Sequence, residues 1–263
     1  MPPKKKYAAP VWPNAGVEAW YRDQLQAIVR EMSQDMMDAV RRAWRDAGLA
    51  TDAKRPTPAI LLDRALEKWG GLWTFRINKA SRKLALQFAT KSRKATETSM
   101  KRTLADAGFT VKFTADKLTQ RALDAVVEAN VGLIKSIPQK YLTDVQTAVF
   151  QNVMQGSDLA ALQTSIQEKY GIAHRRAAFI ARDQNHKAKA AIERARRLDV
   201  GIVSAKWKHS HAGKDWRPTH VAMDGESYNI IEGMYDPAVE KQIWPGTEPN
   251  CRCTDEAEIP GFS

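Results

Sequence analysis

The spacing of apolar residues over the first two hundred positions most constrains the fold of this chain. Between positions 14 and 47 apolar residues recur every three or four residues, which places them on one face of an α-helix. Asn14 is a typical helix N-cap, and Gly48 is a typical residue at a helix end. Similar spacing continues, with interruptions, to about Leu198. The sequence therefore predicts a body of long amphipathic helices.

Glycine and proline predict where the later helices end. The pair Gly70-Gly71 predicts a break in one helix, Pro138 predicts the end of another, and Gly171 predicts a third stop. A long basic helix is predicted over residues 173–198. The alternating segment Phe109–Phe113 is predicted to form an extended strap between helices.

An extended arm is predicted for residues 1–13, which contain four prolines. Tyr7 and Trp12 could pack on a neighbouring element, or the arm could stay loose. Its lysines are not followed by an apolar segment, so a secretory signal is not expected. No apolar run approaches the roughly 18–20 residues of a membrane helix, so no membrane partner is expected.

After Gly201 the pattern changes to short strands and turns. The segment 202–209 alternates in polarity and is rich in β-branched residues, which predicts a strand. A second strand is predicted at 226–228, after a turn at Asp224-Gly225. The predicted fold class is α+β and mostly α, with a long N-terminal helical region followed by a small mixed α/β module.

The charge is unevenly distributed. The net charge is +11, yet nine acidic and only two basic residues lie between Asp224 and Glu258, so the rest of the chain carries +18. Such a basic body suggests a polyanion such as DNA, or an acidic protein surface, although a solvated lysine-rich surface would look the same. The candidate contact residues are Lys79, Arg82, Lys83, Lys91, Arg93, Lys94, Lys101, Arg102, Arg175 and Arg176.

Both cysteines and four of the five histidines lie between His186 and Cys253. Zinc prefers four tetrahedral ligands from thiolate, imidazole or carboxylate groups. Cys251 and Cys253 could supply two ligands, and His209, His211 or Glu248 could supply another. The alternative is that both cysteines are small buried apolar residues and need no metal. Cysteines this close cannot join distant segments, which favours a reduced, cytoplasmic setting.

Four motifs in the second half occur in a recognisable order: Ile180–Gln184, Asp215–His220, Met223–Gly225 and Pro249–Cys253. Together they resemble the phage Mu F-like minor head protein family, over about residues 138–260. Two departures stand out. Glu248 replaces a histidine that often precedes Pro-Asn-Cys-Arg-Cys, and Arg217 and His220 occupy positions that are cysteines in many members. The match to a cysteine position makes His220 the best third zinc ligand, with His209 as the fourth.

The resemblance implies a minor capsid protein that acts in head morphogenesis. Together with the helical pattern of the first half, it divides the chain into an arm (1–13), a helical domain (14–137) and a Mu F-like module (138–263). The implied partners are the portal protein, the major capsid protein and packaged DNA. The implied location is the virion head interior near the portal, reached from the host cytoplasm during assembly.

If this is correct, the module contains a structural latch, a set of residues that holds its small sheet together. Its predicted members are Trp207, Arg217, His220, Asp224, Gly225, Asn250, Cys251, Arg252 and Cys253, with Arg252 and His220 bonded around Asp224. Asp215, His220, Asp224 and a thiol could also be drawn as a nucleophile and its base. Since the sequence has no phosphate loop, serine elbow or paired-carboxylate motif, catalysis is not predicted. The alternative function is a zinc-stabilised nucleic-acid-binding protein acting outside the particle.

Overall fold

A computed structural model describes residues 5–48, 57–156 and 158–261 of the chain. Within these residues four long helices precede a set of short elements. The helices are α1 (Ala15–Gly48), α2 (Pro58–Asp106), α3 (Lys117–Met154) and α4 (Leu159–Asp199). The short elements are β1 (Ser204–Lys208), α5 (Pro218–Ala222), β2 (Ser227–Asn229), β3 (Met234–Asp236), β4 (Lys241–Ile243) and β5 (Thr254–Ala257). The predicted α+β fold with a mostly helical body is confirmed.

The chain forms two compact units. The sheet unit contains the described residues up to Ala19, Ala85–Glu128 and the described residues from Arg182 onward. The helical unit contains Trp20–Leu84 and Ala129–Ala181, as far as they are described. Each long helix thus contributes residues to both units. The predicted division of the chain after residue 137 stays a prediction.

The predicted breaks inside three helices are wrong. Helix α2 continues through Gly70-Gly71, α3 through Pro138 and α4 through Gly171. At Gly70 the cause is close packing, because a Cβ there would lie 2.6 Å from Cδ2 of Leu142. A glycine costs a helix only about 1 kcal/mol, which tertiary packing can offset.

Pro138 lies within a stretch of α3 whose apolar face is buried. Ile134, Ile137, Tyr141 and Val145 follow the helical spacing and are all buried. The Tyr141 hydroxyl donates a hydrogen bond to Ser33 of α1 at 3.1 Å. A proline in a helix interior costs about 3 kcal/mol, and this continuous buried face offsets that cost.

A three-stranded antiparallel sheet forms the centre of the sheet unit, in the order β2-β1-β5. The described residues of the N-terminal arm lie along β5 as an additional extended segment. Ala8 N donates to Ala257 O at 2.8 Å, and Ile259 N donates to Lys6 O at 2.8 Å. Val11 is buried in the core, while Trp12 is 47% exposed. The described part of the arm, from residue 5 onward, is therefore packed rather than loose.

Between α2 and α3 the residues from Phe109 to Asp116 form no helix or strand, and the extended conformation predicted for the strap stays a prediction. Phe109, Val111 and Phe113 pack against a core cluster built from the arm, α2 and the sheet. A separate hairpin, β3-β4, pairs Met234 with Ile243 and Asp236 with Lys241. None of the described helices is long and apolar enough to cross a membrane.

Candidate functional site

His220, Cys251 and Cys253 meet in the buried part of the sheet unit. His220 lies on α5, which begins at Pro218, and the two cysteines lie just before β5. The Nδ1 atom of His220 is 3.5 Å from Cys251 Sγ and 3.8 Å from Cys253 Sγ. All three potential ligand atoms lie within 4.8 Å of one another. The structure therefore brings together three of the four residues that the sequence indicated for zinc.

The other ring nitrogen of His220 faces a buried carboxylate. His220 Nε2 is 3.3 Å from Oδ2 of Asp236, a residue with no exposed surface. The second oxygen of Asp236 accepts a hydrogen bond from Ala238 N at 2.9 Å, and the Trp207 ring packs edge-on against the imidazole. These neighbours fix the ring so that Nδ1 points at the sulfurs. Sequence reasoning missed Asp236, because the hairpin pairing that places it gives no local signal.

Helix α4 holds the loop that carries the cysteines. Asn250 N donates to Asp183 Oδ1 at 2.7 Å, and Arg182 Nη2 donates to Asn250 Oδ1 at 3.2 Å. Asn250 adopts φ of 57°, a left-handed conformation that asparagine tolerates better than most residues. Arg217 Nη2 donates to Pro249 O at 2.8 Å. Arg182 and Asp183, which belong to one of the family-like motifs, thus position the Pro-Asn-Cys turn.

Gly246 closes the site from the other side of the loop. Its N–H donates to Cys251 Sγ at 3.4 Å, and its φ of +83° lies in the left-handed region. A Cβ at this position would lie 3.4 Å from Cys253 O and 3.5 Å from the Cβ of Ala190. Both conformation and space therefore favour glycine here.

The pKa values of the two thiols are shifted in opposite directions. The pKa of Cys251 is lowered to about 4, first by the hydrogen bond from the Cys253 thiol and then, against the effect of burial, by His220. The pKa of Cys253 is raised, because the same hydrogen bond keeps its proton in place and burial disfavours a second negative charge. The pair therefore favours one thiolate in the absence of a cation.

The other predicted latch residues surround this cluster, with partners that differ from the expected ones. Asp224 accepts a hydrogen bond from His209 N at 2.8 Å and contacts His211, whereas His220 contacts Asp236. Gly225 has φ of +86° and donates its N–H to Trp207 O at 2.9 Å, joining the turn to β1.

His209 and Glu248 do not join the three ligand atoms. The Nδ1 atom of His209 accepts a hydrogen bond from His211 N at 3.2 Å. Glu248 forms an ion pair with Lys241 at 2.8 Å. The candidate ligand set is therefore His220, Cys251 and Cys253.

An open cleft of about 290 Å³ reaches this cluster from the surface. His209, His220 and both cysteines contribute to its wall. Its outer lining includes the basic residues Lys214, Arg217 and Arg252, one acidic residue and the half-exposed Trp216. The cleft gives water and small ions a path to the cysteine sulfurs.

A second buried polar cluster joins α4 to the sheet. The buried Arg197 forms ion pairs with Glu193 and with Asp255, the latter at 2.6 Å. Lys189 pairs with Glu193 and donates to Thr254 Oγ1 at 2.6 Å. The spacing of Lys189, Glu193 and Arg197 at four-residue steps was the sequence signal for this cluster. It was missed because α4 as a whole reads as an exposed basic helix.

The predicted polyanion contacts are mostly at the surface. In the sheet unit Lys91, Lys94, Lys101 and Arg102 are exposed, while Arg93 is half-buried. In the helical unit Lys79, Arg82, Lys83 and Arg175 are exposed, and the half-buried Arg176 donates to Ser136 Oγ at 2.9 Å. Several other basic residues of α4, including Arg196, are buried in ion pairs and are unavailable to a partner.

Comparison with known proteins assigns the segment that contains the site. The family model described as phage Mu protein F like protein matches residues 143–255, a range that includes His220, Asp236 and both cysteines. The residues before 143 and after 255 lie outside this match. The family resemblance inferred from the sequence motifs is thereby confirmed for this Mu F-like segment.

One curated relative covers most of the chain. An uncharacterized protein of Haemophilus influenzae is 32% identical over 251 residues, which is 93% of this chain and 54% of the relative. The chain thus spans about half the length of that relative. No solved structure matches the chain.

Proposed function

We propose that this protein is a non-catalytic structural component of a phage or prophage head, acting as an adaptor at the interior of the head near the portal. The match of residues 143–255 to the Mu F-like family carries the proposal, because that family is associated with head morphogenesis. The buried cluster of the Mu F-like segment fits this role, since its side chains hold a turn against α4 and the sheet. Portal protein, major capsid protein and packaged DNA are the proposed partners.

The test is the composition of assembled particles. Procapsids and mature heads would be purified from cells that produce this protein with a small internal tag, and the particles would be analysed by mass spectrometry and cryo-electron microscopy. The protein is expected in both particles at low copy number, with density on the inner surface next to the portal. Its absence from procapsids and heads, combined with recovery on cellular DNA, would overturn the proposal and favour a DNA-binding protein acting outside the particle.

An exposed basic stripe on α2 supports DNA as one of the partners. Lys91, Lys94, Lys101 and Arg102 follow steps of three, seven and one residue, so they lie on one face of the helix within the sheet unit. Asp106 lies 3.9 Å from Arg102 of this stripe. Such a stripe neutralises phosphates without reading sequence, and its affinity falls steeply with salt.

A salt titration separates DNA from an acidic protein surface as the partner of the stripe. The logarithm of the affinity falls with the logarithm of the salt concentration, by about 0.9 per phosphate contact. Replacing all four stripe residues by alanine should therefore make this slope less steep by about 3 to 4. The matched control replaces four exposed arginines of the helical unit, Arg41, Arg42, Arg45 and Arg64, and should leave the slope nearly unchanged. Absence of DNA binding at low salt would leave the portal or coat protein as the partner.

A further inference from the structure

We propose that His220 Nδ1, Cys251 Sγ and Cys253 Sγ bind one zinc ion, and that its fourth coordination position opens into the cleft. The inference rests on side-chain geometry within the sheet unit and does not depend on the proposed role in a phage head. The three residues are buried, with exposed fractions of 2%, 4% and 5%. Their ligand atoms form the one group of this kind found among the described residues.

The spacing of the three atoms matches a tetrahedral zinc site. Zinc binds thiolate sulfur at about 2.3 Å and imidazole nitrogen at about 2.0–2.1 Å, so tetrahedral angles place sulfur and nitrogen about 3.5–3.6 Å apart. The observed distances from His220 Nδ1 are 3.5 Å to Cys251 Sγ and 3.8 Å to Cys253 Sγ. Both distances from nitrogen to sulfur are thus within about 0.3 Å of the tetrahedral value, and all three ligand atoms lie within 4.8 Å of one another.

The metal also resolves a conflict in the buried hydrogen bonding. One ring nitrogen of His220 faces two sulfurs, and a single nitrogen can accept or donate only one hydrogen bond. Two thiolates and a neutral imidazole around Zn²⁺ form a site without net charge, which lowers the cost of burying it. The N–H of Gly246 directed at Cys251 Sγ supplies the kind of donor that stabilises a thiolate.

Asp236 supports His220 as a ligand. A zinc-binding histidine usually donates its other N–H to a carboxylate or carbonyl, which fixes the tautomer and strengthens the metal bond. His220 Nε2 lies 3.3 Å from the fully buried Asp236 Oδ2. The two atoms do not form a hydrogen bond in this structure, but the carboxylate beside Nε2 favours the tautomer with the proton there, which leaves the Nδ1 lone pair for the metal.

The fourth position faces the cleft and is assigned to water. His209 lies in the wall of the same cleft, but its Nδ1 accepts a hydrogen bond from His211 N, and neither ring nitrogen belongs to the group of close ligand atoms. The cleft is open enough for solvent to enter. Thiolate ligands select zinc over hard cations such as magnesium and calcium.

Metal analysis of the full chain tests the proposal. Protein produced in zinc-supplemented medium would be freed of loosely bound metal with a weak chelator, and its zinc content measured by plasma mass spectrometry. We expect one zinc ion per chain in the wild type and almost none in the double variant Cys251→Ser/Cys253→Ser. The controls His209→Ala and His211→Ala, which lie beside the site, should keep the ion. Circular dichroism would confirm that each variant is folded.

X-ray absorption on the wild-type zinc protein provides a measurement that needs no variant. Two sulfur scatterers and two nitrogen or oxygen scatterers are expected around zinc, and cobalt substitution should give the intense visible bands of a tetrahedral site. A metal-free protein after zinc supplementation, or zinc without sulfur ligands, would overturn the proposal and indicate an adventitious ion only. Loss of zinc in His209→Ala would overturn the assignment of the open position. None of these results depends on where the protein acts in the cell.

Discussion

Two clusters of the sheet unit bury ionisable side chains, and they offset the cost of that burial in different ways. In the salt cluster, Lys189, Glu193, Arg197 and Asp255 alternate in sign, and each buried charge has a partner within the chain. In the thiol cluster, the ligand atoms of His220, Cys251 and Cys253 lie within 4.8 Å of one another, and no lysine or arginine belongs to this group. Both clusters join the sheet unit's loops to α4 or α5, and they lie only two residues apart at Cys253 and Asp255.

The difference indicates which of the two clusters balances its buried charges without a bound ion. The pKa of Asp255 is lowered because Arg197 and Lys189 outweigh the opposing effect of burial, so its carboxylate is charged without outside help. Tyr228 completes the cluster, because its hydroxyl donates a hydrogen bond to Asp255 Oδ2. The thiol cluster has no such balance, which is why we expect it to depend on a bound cation. The salt cluster should therefore determine the stability of the metal-free protein.

The largest expected effect is the loss of Arg197. The substitution Arg197→Met leaves the carboxylates of Glu193 and Asp255 buried without their main partner, and we expect the free energy of unfolding to fall by about 3–5 kcal/mol. Urea denaturation followed by tryptophan fluorescence measures it. The exposed Arg102 is the control, because Arg102→Met should change stability by less than about 0.5 kcal/mol. A similar small change in both variants would mean that the salt cluster is not what stabilises the sheet unit.

Zinc removal should have the next largest effect. At a free zinc concentration one hundred times the dissociation constant, binding raises the free energy of unfolding by about 2.7 kcal/mol. Addition of a strong chelator should remove this increment in the wild type. The variant Cys251→Ser/Cys253→Ser should have the same stability with and without chelator. An equal chelator effect in both proteins would show that any bound zinc lies elsewhere.

The two clusters also show how far the sequence predicts this molecule. Periodicity sufficed to predict the helical body and the strand at Trp207, and metal chemistry sufficed for the candidate ligands Cys251 and Cys253, because these are local signals. His220 was predicted from the family resemblance. The continuity of α2 at Gly70 was not predictable, since it depends on the approach of Leu142 from another helix. The role of Asp236 was equally hidden, because it depends on how the β3-β4 hairpin packs on α5.

Replacing Gly246 should have a smaller effect on stability, and this effect is specific to the thiol cluster. Alanine there must adopt a left-handed conformation and places its Cβ against Cys253 O, so Gly246→Ala should destabilise the protein by about 1–2 kcal/mol. Gly132 is the matched control. It lies inside α3 with open space around it, and Gly132→Ala should stabilise by about 0.5–1 kcal/mol. Thermal denaturation of the two variants should therefore show opposite shifts, and shifts of the same sign would contradict the left-handed conformation at Gly246.

The smallest effect near neutral pH concerns His186, whose pKa depends on residues of both clusters. The pKa of His186 is lowered to about 4, first by burial and then by Lys189 of the salt cluster, while Cys251 of the thiol cluster acts in the opposite direction. Because the unfolded chain binds this proton near pH 6.5, stability should decrease as pH falls from 6.5 towards 4. The slope for this single group is at most about 1.4 kcal/mol per pH unit. Denaturation series in chelator, which removes any zinc contribution, should show this slope in the wild type and a flatter profile in His186→Gln. Protonation of His186 near pH 6.5, seen by NMR titration, would mean that its ring is solvated and independent of both clusters.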